Sequence, residues 1–176
     1  MAECERLFLA LWPEAQQQHD WAEMAQNVLP AGCGRMVPAQ NLHITLLYLG
    51  ELSLDMRHEL ESSLDRIHAQ PFTFTLTLDR FGYWRRPQVF WWGARQTPGP
   101  LEQLVKDLRQ AVSACGVEVE QRPYKVHMTL ARKVKRPLGR VSAEPLTWPI
   151  KAFALVRSTL LPEGAKYEVQ RRWPLI

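Results

Sequence analysis

The sequence predicts an α+β fold of antiparallel sheet with helices packed outside it. Three observations carry the prediction. Strand-like runs and helical stripes follow in the order strand, helix, strand, helix, strand, strand, helix, strands, an order suited to antiparallel rather than strictly alternating parallel architecture. The segment Phe72 to Leu78 alternates apolar residues with threonine, the pattern of a half-buried strand. The tetrapeptide His-apolar-Thr-Leu occurs at His43 and again at His127, each time after a helical stripe and nearly half the chain apart. The repeat suggests two pseudo-symmetric lobes facing one another, with a central cleft lined by the two His-x-Thr-x strands.

Taken in order, Arg6 to Leu11 is a short apolar run ended by Trp12-Pro13, as in a buried strand. Pro13 suits the first turn of a helix, where its missing N–H is not needed. Trp21, Met24, Ala25 and Val28 recur at helical spacing, and Pro30, Gly32 and Gly34 close that helix. After a connector, Arg35 to Pro38, comes an unbroken strand-like stretch from Leu42 to Leu49, stopped by Gly50. Ser53 is an N-cap for a helix whose apolar stripe is Met56, Leu60, Leu64 and Ile67. Gln88 to Trp92 reads as the antiparallel neighbour of Phe72 to Leu78, across a loop holding Arg85, Arg86 and Pro87. A third helix follows from Leu101, Leu104, Leu108, Val112 and Cys115, ended by Gly116. Val126 to Ala131, Phe153 to Leu160 and Tyr167 to Trp173 are further strands, and the basic, proline-punctuated stretch from Arg132 to Pro149 is a long loop.

With 176 residues, the chain can bury a core without staples. No linker divides it, so residues 1–176 read as a single bilobal domain. Apolar residues make up 46% and charged residues 23%, which excludes a disordered chain. The net charge of +4 is compatible with a polyanionic partner without requiring one. No apolar run is long enough for a membrane span, and the N-terminus lacks a secretory signal pattern. Cys4, Cys33 and Cys115 are an odd set with no paired spacing, as in a reducing cytoplasm. Zinc ribbons, zinc proteases, P-loop enzymes and Rossmann dehydrogenases are disfavoured, since the sequence has no CxxC, HExxH or glycine-rich phosphate loop.

Chemistry enters with His43-Ile44-Thr45-Leu46 and His127-Met128-Thr129-Leu130. On a strand, residues two apart share a face, so each element presents an imidazole beside a hydroxyl while its apolar residues anchor the other face. One such histidine in an apolar strand would ordinarily be a core residue. Two, each keeping threonine two residues on, favour a shared site. Facing imidazoles can divide the roles of acid and base near neutral pH, and either order is open. The threonine hydroxyls can donate to the oxygens of an anion held between them. That set suits in-line phosphodiester cleavage without a cofactor, and no third ligand stands at zinc spacing. His19, His58 and His68 fall off their helical stripes and read as solvent-exposed. Of the tryptophans, mostly core in this reading, Trp84 is the exception, beside Arg85 and Arg86.

At these residues the chain resembles the 2H phosphoesterases, and more closely their bacterial branch, the RNA 2′,3′-cyclic phosphodiesterases also called 2′-5′ RNA ligases. The resemblance runs through Arg6 to Leu11, Val37-Pro38, Asn41 to Leu46, and Leu49-Gly50-Glu51. It continues through Arg122-Pro123-Tyr124, Ala131-Arg132, Ser158, Gly164, Tyr167 and Arg172-Trp173-Pro174. Two departures flank the second motif: Lys125-Val126 stands where relatives carry His-Pro, and Met128 replaces isoleucine or valine. The resemblance implies metal-independent hydrolysis of an RNA-terminal 2′,3′-cyclic phosphate, on tRNA fragments among other ends, to a 2′-phosphate. Reverse 2′-5′ ligation is implied as well. It makes His43 the proton donor to O3′ and His127 the acceptor from water. Around them, Thr45, Thr129 and Arg132 would hold the phosphate, and Tyr48 and Tyr124 would stack on a terminal base. On an ideal strand Arg132 would face away from Thr129, so a bulge is required. The basic loop of Arg132, Lys133, Lys135, Arg136 and Arg140 could steer RNA. A cytoplasmic monomer without membrane attachment is the default state. The competing expectations are an RNA- or nucleotide-binding module with little turnover, and hydrolysis of a small cyclic nucleotide.

Overall fold

Every strand pairing among the described residues of the computed structural model, 3–67, 73–136 and 138–175, is antiparallel. In chain order the strands are β1 (Cys4–Leu11), β2 (Arg35–Met36), β3 (Ile44–Ser53), β4 (Phe74–Leu78), β5 (Arg80–Trp84), β6 (Val89–Gly93), β7 (His127–Arg132), β8 (Leu146–Ile150), β9 (Ala152–Leu161) and β10 (Gly164–Pro174). The helices are α1 (Ala15–Val28), α2 (Leu54–Ile67) and α3 (Gly99–Ala114), with a 3₁₀ turn at Ala39–Asn41. One eight-stranded sheet runs β10-β9-β1-β3-β7-β6-β5, with β2 beside β7, and β4 pairs with β8 in a separate ribbon. The sequence echo has a topological counterpart. β1-α1-β3 and β6-α3-β7 are two strand-helix-strand units, and their inner strands β3 and β7 meet at the single pair Ile44–Met128.

Alternation along the strands separates two layers. Leu7, Leu9, Leu11, Ile44, Met128 and Leu130 are buried in the main core with Leu60 and Leu64 of α2 and Leu101, Leu104, Leu108 and Val112 of α3. Phe8, Ala10, Ala154 and Val156 form a smaller cluster with Trp12, Tyr167 and Val169. These are the alternate residues of β1 and β9, so this cluster lies on the sheet's other face. The helix boundaries have local causes. Ser53 caps α2, its Oγ accepting the Met56 N–H at 3.3 Å. Pro13 falls outside α1, which begins after Glu14, whose N–H donates to Gln17 Oε1 at 3.0 Å. Gly116, at φ 79°, turns the chain out of α3.

Several sequence expectations need correction. β6 does not pair with the alternating strand β4. Its residues are buried throughout, so it requires a partner on each side, and it finds them in β5 and β7. The stretch from Arg132 to Pro149 is not all loop, because its end forms β8 against β4. Pro149 is tolerated there because both strands of a two-stranded ribbon are edges. Arg35–Met36 is the short strand β2 rather than a plain connector. Gly50 does not stop β3. At φ 75° it sits beside a bulge where Leu7 pairs with Gly50 and Phe8 with Tyr48, and the strand continues to Ser53. Phe72 and His68 lie outside the described residues.

Candidate active site

Each motif histidine is held by the same local device. His43 Nδ1 is 2.6 Å from the Asn41 carbonyl, and His127 Nδ1 is 2.8 Å from the Lys125 carbonyl, in both cases two residues upstream. A carbonyl oxygen only accepts, so both Nδ1 atoms carry the proton and both Nε2 atoms are left to exchange one. The mount beneath His43 is pinned from α1. Buried Gln18 donates through Nε2 to the carbonyls of Gln40 and Leu42, at 3.2 and 3.0 Å. Asn41 Nδ2 donates to the Ala165 carbonyl at 2.9 Å, tying this turn to β10. His43 Nε2 accepts from the Thr45 hydroxyl at 2.9 Å.

The two histidines open on one cleft of about 880 Å³, which Thr45, Tyr48, Thr129 and Arg132 also line. The bulge that Arg132 needs is present. Between Phe90–Ala131 and Trp91–Thr129 the register of β6 and β7 slips at Leu130, so Leu130 and Ala131 are both buried and Arg132 returns to the face of Thr129. A matching slip in β3 at Leu46 buries Leu46 and Leu47 together and turns Tyr48 to the cleft. Tyr124 is a correction. It packs against the main core and its hydroxyl donates to the Thr45 carbonyl at 3.0 Å, so it supports β3 and does not line the cleft. Of the basic loop, Arg132 and Lys133 reach the cleft. His19 and His58 are exposed.

Sequence reasoning missed the aromatic surroundings of His43. Trp12 stacks on the ring at 5.2 Å and 17°, Phe8 lies at 5.0 Å, and Tyr167 meets it edge-on at 5.3 Å. The clue was the pairing of β1 with β3: Leu11 opposite Ile44 brings Trp12 beside His43. His127 has Trp84 edge-on at 4.6 Å. Burial pushes the His43 imidazole down to about 4, opposed by the Asn41 carbonyl and reinforced by the charges of Arg132 and His127. Burial also lowers His127, opposed by the Lys125 carbonyl and reinforced by Arg132. The cleft thus presents two neutral imidazoles at neutral pH. Among the described residues, no group of three or more His, Cys, Asp or Glu side chains is arranged to hold a metal.

An antiparallel α+β frame presenting paired His-x-Thr-x segments on one cleft defines a 2H phosphoesterase. The chain belongs to the 2′-5′ RNA ligase superfamily, whose family model matches residues 12–160. It is 34% identical to the RNA 2′,3′-cyclic phosphodiesterase of Escherichia coli K12 over 99% of both chains. It is 32% identical to that of Thermus thermophilus, over 97% of this chain and 90% of the relative. The structure of E. coli LigT complexed with 3′-AMP superposes with a TM-score of 0.90 at 33% identity, covering 98% of this chain and 99% of LigT.

Proposed function

We propose that this protein is an RNA 2′,3′-cyclic phosphodiesterase that opens a terminal cyclic phosphate to a 2′-phosphomonoester. The observation that carries the reading is the mirrored anchoring of His43 and His127, which leaves two Nε2 atoms on one cleft with Arg132 at hand. Full-length relatives bearing that name support it, as does a LigT structure holding 3′-AMP.

In the mechanism, water attacks phosphorus in line with O3′ and the P–O3′ bond breaks. His127 Nε2 takes the water proton, and the Nε2–H of His43 protonates O3′. Thr45, Thr129 and Arg132 hold the non-bridging oxygens as charge builds there, and Tyr48 offers a ring to the terminal base. His43 is neutral at neutral pH in the free protein, so its donor role depends on the bound phosphate, whose negative charge raises the ring's pKa and admits the proton. With a 5′-hydroxyl in place of water, the same transfers form a 2′-5′ linkage. Residues 1–176 act as one bilobal, cytoplasmic, monomeric unit, with tRNA fragments among its RNA ends. The free thiols of Cys33 and Cys115 suit a reducing compartment, and none of the described helices is long and apolar enough to cross a membrane.

The test is a short RNA ending in a 2′,3′-cyclic phosphate, incubated with EDTA, its products resolved as 2′- or 3′-monophosphate. Conversion to the 2′-phosphate is expected. Tight binding with no product after long incubation would instead favour a binding module.

A further inference from the structure

Arg35 and Arg132 are direct cross-strand partners in β2 and β7, and both guanidinium-bearing residues line the cleft. Directly opposed residues project from the same face of a sheet with Cβ atoms about 4.5–5.5 Å apart, and like charges so placed destabilise the pair. Among the described residues no carboxylate pairs with either one. Arg35 Nη2 donates instead to the backbone carbonyl of Glu163, at the tip of the β9–β10 hairpin across the cleft. The fold makes room for this arrangement at two glycines. Gly34, at φ 75°, lets β2 approach β7 where a Cβ would stand 2.6 Å from the Arg132 carbonyl oxygen and 2.8 Å from a Val134 methyl. At Gly164 a Cβ would stand 3.2 Å from Arg35 Nη2. The walls repeat the bias in charge: Arg6, Arg35, Arg132, Lys133 and Lys166 line the cleft against Glu163 as its one acidic lining residue among those described.

One cyclic phosphate carries one negative charge, and Arg132, whose charge already acts on both histidines, suffices to meet it. A second guanidinium one strand further out, satisfied only by a neutral carbonyl, is free to exchange that partner for another anion. We propose that Arg35 is a second phosphate-binding residue, which takes the phosphodiester on the 5′ side of the terminal nucleotide while the cyclic phosphate lies between the histidines. The inference rests on the phosphodiesterase reading and extends it: the substrate is the end of an RNA chain, and Arg35 distinguishes such an end from a cyclic mononucleotide. Two long side chains fanning from one cross-strand pair can cover the step between consecutive phosphates, which a single guanidinium cannot.

The experiment compares a dinucleotide ending in a 2′,3′-cyclic phosphate with the same molecule carrying a neutral methylphosphonate at its internal linkage. For the native protein, kcat/KM is expected to fall about tenfold or more on this neutralisation, mainly through KM, as for a lost charge-assisted hydrogen bond. In Arg35→Gln the ratio between the two substrates should collapse towards one, and Arg35→Lys should retain part of it. Because the readout is a ratio within one preparation, partial misfolding of a variant does not imitate it. The log–log salt dependence on the phosphodiester substrate should also flatten in Arg35→Gln by about 0.7, the contribution of one contact to a single strand. Equal rates on both substrates for the native protein, or a full ratio kept by Arg35→Gln, would overturn the assignment. Absence of turnover on either substrate would remove the phosphodiesterase reading itself, and the assignment with it.

Discussion

Tyr48 and Arg132 occupy equivalent places in the two half-sites. Each lies the same number of residues beyond its motif histidine, and each is returned to the cleft by a bulge at the last residue of the motif, Leu46 or Leu130. The pseudo-symmetry of the backbone is therefore broken by chemistry at this station. On the His43 side stands an aromatic ring, 48% exposed, with the Arg6 guanidinium 5.4 Å from its centroid. On the His127 side stands a cation whose field lowers both imidazoles. The cleft thus carries a cation on one side and an exposed aromatic ring on the other.

Arg132→Gln should accordingly do two separable things. It should lower kcat/KM on a cyclic-phosphate RNA by about 10²-fold, as for a lost donor to developing charge. It should also raise the pKa of both histidines, because a nearby positive charge is removed. NMR titration of the ring protons in the free protein reads the second effect directly. Unmoved titrations in a folded variant would mean that Arg132 does not act on the rings.

Removing either imidazole removes one proton-transfer partner, so His43→Ala and His127→Ala should each lose about 10²–10⁴ in kcat. Circular dichroism spectra matching the native protein would establish that the frame survives. Full turnover by either variant would eliminate two-histidine catalysis.

The pH dependence follows from the same burial. In the free enzyme both rings titrate below 6.5, His43 at about 4. Catalysis needs one ring protonated and one neutral, so kcat/KM should be bell-shaped with its maximum on the acid side of neutrality. It should already be falling below pH 6.5, as the second ring gives up its proton, and keep falling at higher pH, where both rings are neutral. Bound phosphate raises both values, so the kcat profile should lie at higher pH than that of kcat/KM. Coincident profiles would contradict the proposed dependence of the acid on substrate charge.

The motif chemistry was legible because strand periodicity alone puts His43 with Thr45 and His127 with Thr129. The helices were legible too: their stripes, Ser53 and Gly116 act within a few residues. Strand pairing was not, because partners are chosen by burial of whole strands. β6 is buried throughout and β5 carries no clean alternation, so nothing local says that they form a hairpin or that β4 pairs with β8 instead. Bulges were inferable only by demanding that Arg132 face the cleft. The expected role of Tyr124 failed for the same kind of reason, since the side chain's fate depends on a carbonyl far away in sequence.

Tyr124→Phe tests that correction. Loss of the hydroxyl strips the Thr45 carbonyl of this donor and should cost about 1–3 kcal/mol, lowering Tm by roughly 2–4 °C for each kcal/mol in a chain of this size. KM should hardly change, because the ring does not line the cleft. A large rise in KM with unchanged Tm would restore Tyr124 to the substrate.

His43 should also set part of the protein's response to acid. Its pKa is about 4 in the folded protein, against an ordinary 6.5 once the chain unfolds. Between those values the unfolded chain binds a proton that the folded protein refuses, so stability rises with pH there. The contribution is fully present above 6.5, is lost as pH falls towards 4, and levels off below. Each pH unit crossed corresponds to ~1.4 kcal/mol, which makes the whole span about 3 kcal/mol. Urea midpoints at pH 7 and pH 4.5 should therefore drop further for the native protein than for His43→Asn, whose side chain does not titrate. Because the comparison is a difference between two pH values within each protein, the packing lost on substitution cancels. Equal drops in the two proteins would mean that the ring is protonated in the folded state well above pH 4, and that the aromatic surroundings of His43 do not exclude its charge.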